Sequence, residues 1–365
     1  MSSALAHVAW EPCMVPSRPD REINAYARKR MGLPNPALRY FAPVPWLARA
    51  VIDLHGEFGL LMHLEQRVAD LVGMVVSQEN SCRYCFAAYR AMLWLQGMDR
   101  ERIEALEREL SSGTLPPRVQ AAITLGRGQT RGGPQGMREA WRAMRRDGIG
   151  AEELREIAFT VATTDFSNRV HTIPAIPAQP FERMPEQWHV RLLRPLLARV
   201  LRTRISRGHE VPLAGQPAYP YGVVVAAYAG SPIAGILDRT LREMWDSPHL
   251  SRRCKLLMFA VIARGLPCER CVLEVGDALG REGLPAPMLA QVLAHLDAPG
   301  LERVERLLVG FARETIWYEP AVLQRRARTL RQQLDNDEQF LEAVGVAALA
   351  NGLCRMAATV VEEPA

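Results

Sequence analysis

Residues 81–89 read SCRYCFAAY, placing Cys82 and Cys85 one helical turn apart, and Cys268 and Cys271 repeat the spacing in LPCERCVLE. Two thiols so spaced can close a disulfide across one turn. In the first turn of a helix, the backbone N–H groups and the dipole also favour thiolate over thiol. A thiolate that attacks and a neighbour that resolves the oxidised product are what a dithiol redox centre requires. Two other readings compete. Four cysteines in two pairs could ligate zinc, but equivalent positions in separate domains make convergence on one ion awkward, and no metal is expected. Cysteines also pack as small apolar residues, the preferred reading for Cys13, Cys254 and Cys354. Seven cysteines, an odd number behind an N-terminus without a secretion signal, argue against a structural disulfide framework. Redox chemistry at Cys82 and Cys85 is preferred.

The two pairs belong to a longer repeat. At the offset of 186 that superposes them, Leu71 falls on Leu257, Val75 on Val261, Val76 on Ile262 and His63 on His249. Gly97 then falls on Gly283, Arg127 on Arg313, Glu152 on Glu338, Glu156 on Glu342 and Arg169 on Arg355. A register held for about 120 residues without a gap implies a tandem duplication.

The elements that position the cysteines read as helices. HLEQRVADLVGMVVSQEN is apolar for most of its length and predicts a buried helix, with Asn80 as its stop and Ser81 as N-cap of the next. That next helix, CRYCFAAYRAMLWLQ, should end at Gly97. RVQAAITLGRGQ, GMREAWRAMRRDG and AEELREIAFTVATTDFSNRV continue the pattern, and YGVVVAAYAG is the one tempting strand. The fold class is all-α, two helical bundles in tandem. The expected organisation is an N-terminal extension at 1–44, a first domain at 45–185, a Pro-rich linker at 186–220 with a short helix near LLARVLRTR, and a second domain at 221–361.

The formal charge of +5 is small for 365 residues, and only Lys29 and Lys255 are lysines among 45 basic residues. Arginines are interspersed with acids, so no basic block with aromatics marks a nucleic-acid surface. No uninterrupted apolar segment reaches the ~18 residues a membrane span needs. A cytoplasmic protein is expected, without nucleic acid or membrane as a partner.

Asp70 interrupts the run VADLVGMVV, and an ionised carboxylate on a mostly buried helix needs a partner or a task. An ion pair with Arg67 or Arg169 and a general-base role both fit. The first copy, from RVADLVGMVVSQENSCRYCFAAY to DFSNRV, resembles the AhpD-like, carboxymuconolactone decarboxylase superfamily. Its pattern is a carboxylate on one helix, then C-x-x-C and a nearby His opening the next. The resemblance covers both copies, most of residues 45–361. It implies two tandem AhpD-like domains with Cys85 peroxidatic, Cys82 resolving and Asp70 the relay carboxylate, where the family usually has Glu. Tyr89 stands where the relay His is expected, and a phenol with an ordinary pKa near ~10 does not replace an imidazole. Tyr89 is expected to hydrogen-bond a thiolate or substrate, or to fill the helix interface; His171 and His63 are candidate substitutes.

The second copy departs further, with Leu256 for Asp70, Val275 for Tyr89 and Arg270 for Tyr84. Arg270 would lower the pKa of Cys268 and Cys271, Pro267 would fix the first turn, and Glu274 would pair with Arg270. This half is expected to be mainly structural, with a secondary redox pair as the alternative. The activity implied is reduction of organic hydroperoxides or peroxide through a Cys82–Cys85 disulfide. No bound cofactor is implied; an external dithiol, of lipoamide or thioredoxin type, would regenerate the enzyme. A catalytically degenerate assembly or binding module is the alternative, and a lactone decarboxylase or isomerase ranks last. Single-copy relatives typically form trimers or hexamers, so a homo-oligomer is expected in which each copy stands for one subunit.

Overall fold

The computed structural model describes residues 5, 7–31, 35–54, 60–108, 115–131, 133–177, 187–205, 213, 219–266 and 268–361. These residues form helices and no strands. The first are α1 (Arg21–Met31), α2 (Leu38–Phe41), α3 (Pro45–Asp53), α4 (Gln66–Glu79), α5 (Arg83–Leu95) and α6 (Arg100–Arg108). Then come α7 (Pro117–Arg131), α8 (Gly133–Arg146), α9 (Ala151–Thr172), α10 (Trp188–Ile205), α11 (Gly222–Ala227) and α12 (Pro232–Asp246). The chain ends with α13 (Arg252–Gly265), α14 (Glu269–Arg281), α15 (Ala286–His295), α16 (Arg303–Glu314), α17 (Pro320–Arg331) and α18 (Asp337–Val360). Five helices begin 186 residues after five others: Gln66 and Arg252, Arg83 and Glu269, Arg100 and Ala286, Pro117 and Arg303, Ala151 and Asp337.

Two expectations are corrected. YGVVVAAYAG is not a strand but contains α11: Tyr221 takes a positive φ of 71° and Val224 and Val225 turn inward against α12 and α18. With no second strand to pair with, β propensity is overridden by burial. The connector carries an 18-residue helix, α10, running through Pro195. Arg194 on α10 stabilises it against α5, donating to the Trp94 carbonyl at 3.0 Å and lying over the Trp94 ring. Pro267 and most of the connector's remaining prolines lie outside the described residues.

Helices α9 and α18 form the centre and are buried along almost their whole length. Helix α18 is long and apolar enough to cross a membrane, but its apolar stretch is entirely covered by the rest of the fold. The two helices pack closely because Gly352 has no side chain: a Cβ there would sit 2.9 Å from the Ala162 carbonyl oxygen. Beside this crossing lies a buried charge cluster. Asp165 pairs with Arg169 and, at 3.5 Å, with Arg355, and accepts a hydrogen bond from Asn80 Nδ2 at 3.2 Å. Burial pushes the Asp165 carboxyl up, but the two guanidiniums outweigh it and hold the pKa below the ordinary value. Arg169 also donates to the Thr315 carbonyl at 3.0 Å, tying α9 to the loop after α16.

The N-terminal extension is part of the packing. Trp10 Nε1 donates to the Ile176 carbonyl at 3.1 Å and the Met14 N–H to Pro174 at 3.0 Å, so this segment crosses the end of α9. Gln324 on α17 links the same region, accepting from the Glu11 N–H and donating to the Thr172 carbonyl, both at 3.0 Å. Buried Asp53 joins α1, α3 and α12 by accepting from Tyr26, Arg30 and Arg239.

Candidate functional site

The turn between α4 and α5 sets the dithiol. Ser81 adopts φ of 51°, so it is the left-handed turn residue and not the expected N-cap. Cys82 is the N-cap: its sulfur accepts the Cys85 N–H at 3.4 Å, while its own N–H bonds the Ser77 carbonyl at 2.9 Å. A cap needs an acceptor, and a sulfur carrying negative charge serves that role better than a neutral thiol.

Both cysteines are thiols, 0% and 2% exposed, with sulfurs 3.0 Å apart. Burial pushes the Cys82 pKa up. Hydrogen bonds from the Cys85 thiol, the Cys85 N–H, the Thr172 hydroxyl and the Tyr84 N–H outweigh it, and the net shift is downward. Cys85 Sγ lies 3.6 Å from Ser167 Oγ and 4.0 Å from His171 Nδ1. The His171 Nδ1 is 2.7 Å from the Ser167 carbonyl oxygen, which can only accept, so Nδ1 carries a hydrogen and Nε2 is the nitrogen that takes up a further proton. An imidazolium here would stand about 4 Å from the sulfur, where opposite charges attract by roughly 4 kcal/mol at an effective dielectric near 20. That is enough to offset a substantial desolvation cost for a Cys85 thiolate.

The His171 ring is fixed by its neighbours. It stacks on Tyr84 with centroids 4.0 Å apart and planes at 13°, and meets the Phe41 edge at 5.4 Å. Tyr318, from the loop after α16, places its hydroxyl 2.9 Å from the Asn168 carbonyl and 2.5 Å from the Thr172 hydroxyl, its one hydrogen shared between them. Burial and the two cysteines both raise the Tyr318 pKa, so it stays a phenol and a donor. The second half of the chain thus braces the hydroxyl that bonds Cys82.

The other sequence candidates are placed elsewhere. Asp70 accepts from Gln66 Nε2 at 3.1 Å and from Gln96 Nε2, at the opposite end of the α4–α5 pair from the cysteines. Gln96 follows Cys85 by eleven residues, about three helical turns. The expected guanidinium partner is also corrected: Arg67 donates to the Gln96 carbonyl and Arg169 pairs with Asp165. Burial pushes the Asp70 carboxyl up to about 7, against the two amide hydrogen bonds that favour its ionised form. Tyr89 lies between. Its ring covers Gly73, where any Cβ would collide with it, and its hydroxyl shares a 3.0 Å hydrogen bond with Thr164. His63 is exposed, and its backbone N–H is one of three, with Met62 and Leu64, that bond the buried Glu156 carboxylate.

The second pair is different. Cys268 and Cys271 form a disulfide at the start of α14. Positions matching Ser167, His171 and Thr172 in the 186 register hold Leu353, Ala357 and Ala358. Arg270 is exposed, and Glu274 accepts the Tyr221 N–H at 2.7 Å while feeling the positive charge of Arg270. Among the described residues no group of three or more His, Cys, Asp or Glu gathers to hold a metal.

Sequence reasoning named His171 only as one of two substitutes and missed Ser167, Thr172 and Tyr318. The i, i+4 spacing of Ser167 and His171 put them on one helix face, but nothing local linked that face to Cys85. Comparisons with protein-family models, with curated proteins and with solved structures give no match.

Proposed function

We propose that the chain is an AhpD-like dithiol oxidoreductase that reduces hydroperoxides through Cys82 and Cys85. The observation that supports this most is the pair of sulfurs 3.0 Å apart with His171 4.0 Å from Cys85. In the proposed cycle Cys85 releases its proton, its thiolate faces the Nδ1–H of His171 and attacks the distal oxygen of ROOH, and the departing alkoxide takes up the released proton. The O–O bond breaks, ROH leaves, and Cys85 becomes a sulfenic acid. Cys82 thiolate then attacks that sulfur, forming the disulfide and expelling water. An external dithiol of lipoamide or thioredoxin type restores both thiols and is itself oxidised. In the same reading the chain is a tandem duplication of one domain, cytoplasmic, and a homo-oligomer whose halves each stand for one subunit. Sedimentation velocity tests the last point.

Cys85→Ser is expected to abolish dithiol-dependent hydroperoxide consumption. A rate equal to wild type, or a wild type no faster than the dithiol alone, rejects the reading. The near-complete burial of both sulfurs favours a second reading, a degenerate binding or assembly module. Mass spectrometry of the Cys82/Cys85 peptide after hydroperoxide treatment separates them: a two-hydrogen mass loss belongs to the enzyme, an unchanged peptide to the module.

A further inference from the structure

We propose that the second half carries a binding site for a small oxyanion, a phosphate- or carboxylate-bearing molecule, between α13, α15 and α16. A cavity of about 310 Å³ lies there, with Arg264, Arg313 and His295 as its charged or ionisable walls and Val261 and Leu293 among its apolar ones. None of its lining residues is acidic. Small-molecule sites commonly have this makeup, an apolar surface with a few convergent polar groups in roughly 300–1,000 Å³.

The first half shows what is missing. There Arg127 Nε pairs with Glu79 Oε1 at 3.1 Å. In the 186 register Arg313 matches Arg127, but Gly265 matches Glu79. The anion is lost and the cation kept. A Cβ on Gly265 would collide with the Ile316 side chain and would lie 2.7 Å from Arg313 Nη1, so the guanidinium and an apolar side chain share the space a side chain at 265 would enter. Arg264 is a second arginine in the lining of the same cavity. Among the described residues neither is in an ion pair, and the neighbouring carboxylate of Glu314 is engaged by Arg326 at 3.6 Å. Two arginines and no acid in one lining give the cavity a positive potential, which an oxyanion neutralises. Their planar forks fit carboxylate or phosphate oxygens in a bidentate manner, and the apolar walls lower the local dielectric, strengthening the attraction.

Arg313 also lies 4.2 Å over the Trp317 ring, which makes that indole a reporter. The test is a tryptophan-fluorescence titration of the full chain with sodium phosphate and separately with sodium acetate. Sodium chloride at matched ionic strength is the control, and calorimetry is run alongside. A saturable response to phosphate or acetate beyond chloride is expected, the stronger arm identifying the ligand's head group. Arg313→Gln and Arg264→Gln should each raise the midpoint at least tenfold with unchanged circular dichroism. Arg264 is exposed, so its variant keeps the test open if the other fails to fold. No saturable response to either anion in both methods, or an unchanged midpoint in the folded arginine variants, overturns the proposal.

Discussion

Cys82/Cys85 and Cys268/Cys271 have the same spacing, the same position at the start of a helix and the same deep burial, yet their surroundings differ in kind. Around the first pair stand Ser167, His171 and Thr172, with Tyr318 reaching in from the other half. In the second the sulfurs are joined, and the α18 positions that match Ser167, His171 and Thr172 hold Leu353, Ala357 and Ala358. The contrast shows that a C-x-x-C motif specifies a geometry for two sulfurs but not the groups that surround them. Those groups come from the long helix α9 packed against α5. In the first half that helix offers donors and an imidazole; at the matching positions of the second, α18 carries only methyl and isobutyl side chains.

The largest expected effect tests the contrast directly. Cys85→Ser should eliminate hydroperoxide consumption, while Cys271→Ser should leave the rate within about twofold; equal losses would erase the distinction between the halves. Next is the charge cluster, where Asp165 in the first long helix matches Asn351 in the second. Asp165→Asn makes the two alike and leaves Arg169 and Arg355 buried without their anion. It should cost about 3–5 kcal/mol in urea unfolding.

Asp70, whose counterpart is Leu256, gives a pH-dependent test. Its carboxyl is raised from 3.8 to about 7 in the folded chain, so the native state holds a proton that the unfolded state releases. The resulting stabilisation is complete below the unfolded pKa and is lost as pH rises through about 7. The rise from 3.8 to about 7 makes that loss on the order of 4 kcal/mol. Asp70→Asn should remove that decline, so unfolding free energies at pH 4 and pH 8 should converge relative to wild type. Activity should survive the change, since Asp70 lies far from the sulfurs.

A smaller effect is expected at His171. His171→Ala copies Ala357 into the first half and should slow hydroperoxide consumption about 100-fold, the lower end of what loss of one donor facing a reacting anion costs. A rate matching wild type would assign the ring to packing against Tyr84 alone. Tyr89→Phe should have the least effect: loss of the hydrogen bond to Thr164 costs about 1 kcal/mol, with activity within twofold.

Much of the helical framework was legible because its signals are local. The apolar run of α4 and the stop at Asn80 could be read directly, as could the helix that follows Cys82. The strand reading of YGVVVAAYAG failed because a short β-branched run is decided by its packing partners, which local propensity does not contain. Ser81 failed as a cap for a similar reason: residue type favours a cap, but its left-handed φ put Cys82 in that position.

By itself the sequence determined the helical class, the 186-residue register and the two thiols one turn apart, because periodicity and spacing are properties of adjacent residues. Only the tertiary structure decided which groups meet those thiols. His171 lies 86 residues from Cys85, and Tyr318 lies 146 residues from the Thr172 hydroxyl it bonds. The tertiary structure also moved Asp70 out of the site. An antiparallel helix pair joined by a tight turn carries a residue twelve positions upstream of Cys82 to the far end, where glutamines rather than thiols meet it. Separation along the chain says nothing about such meetings; the packing of α9 against α5 and of α17 and α18 against α9 creates them.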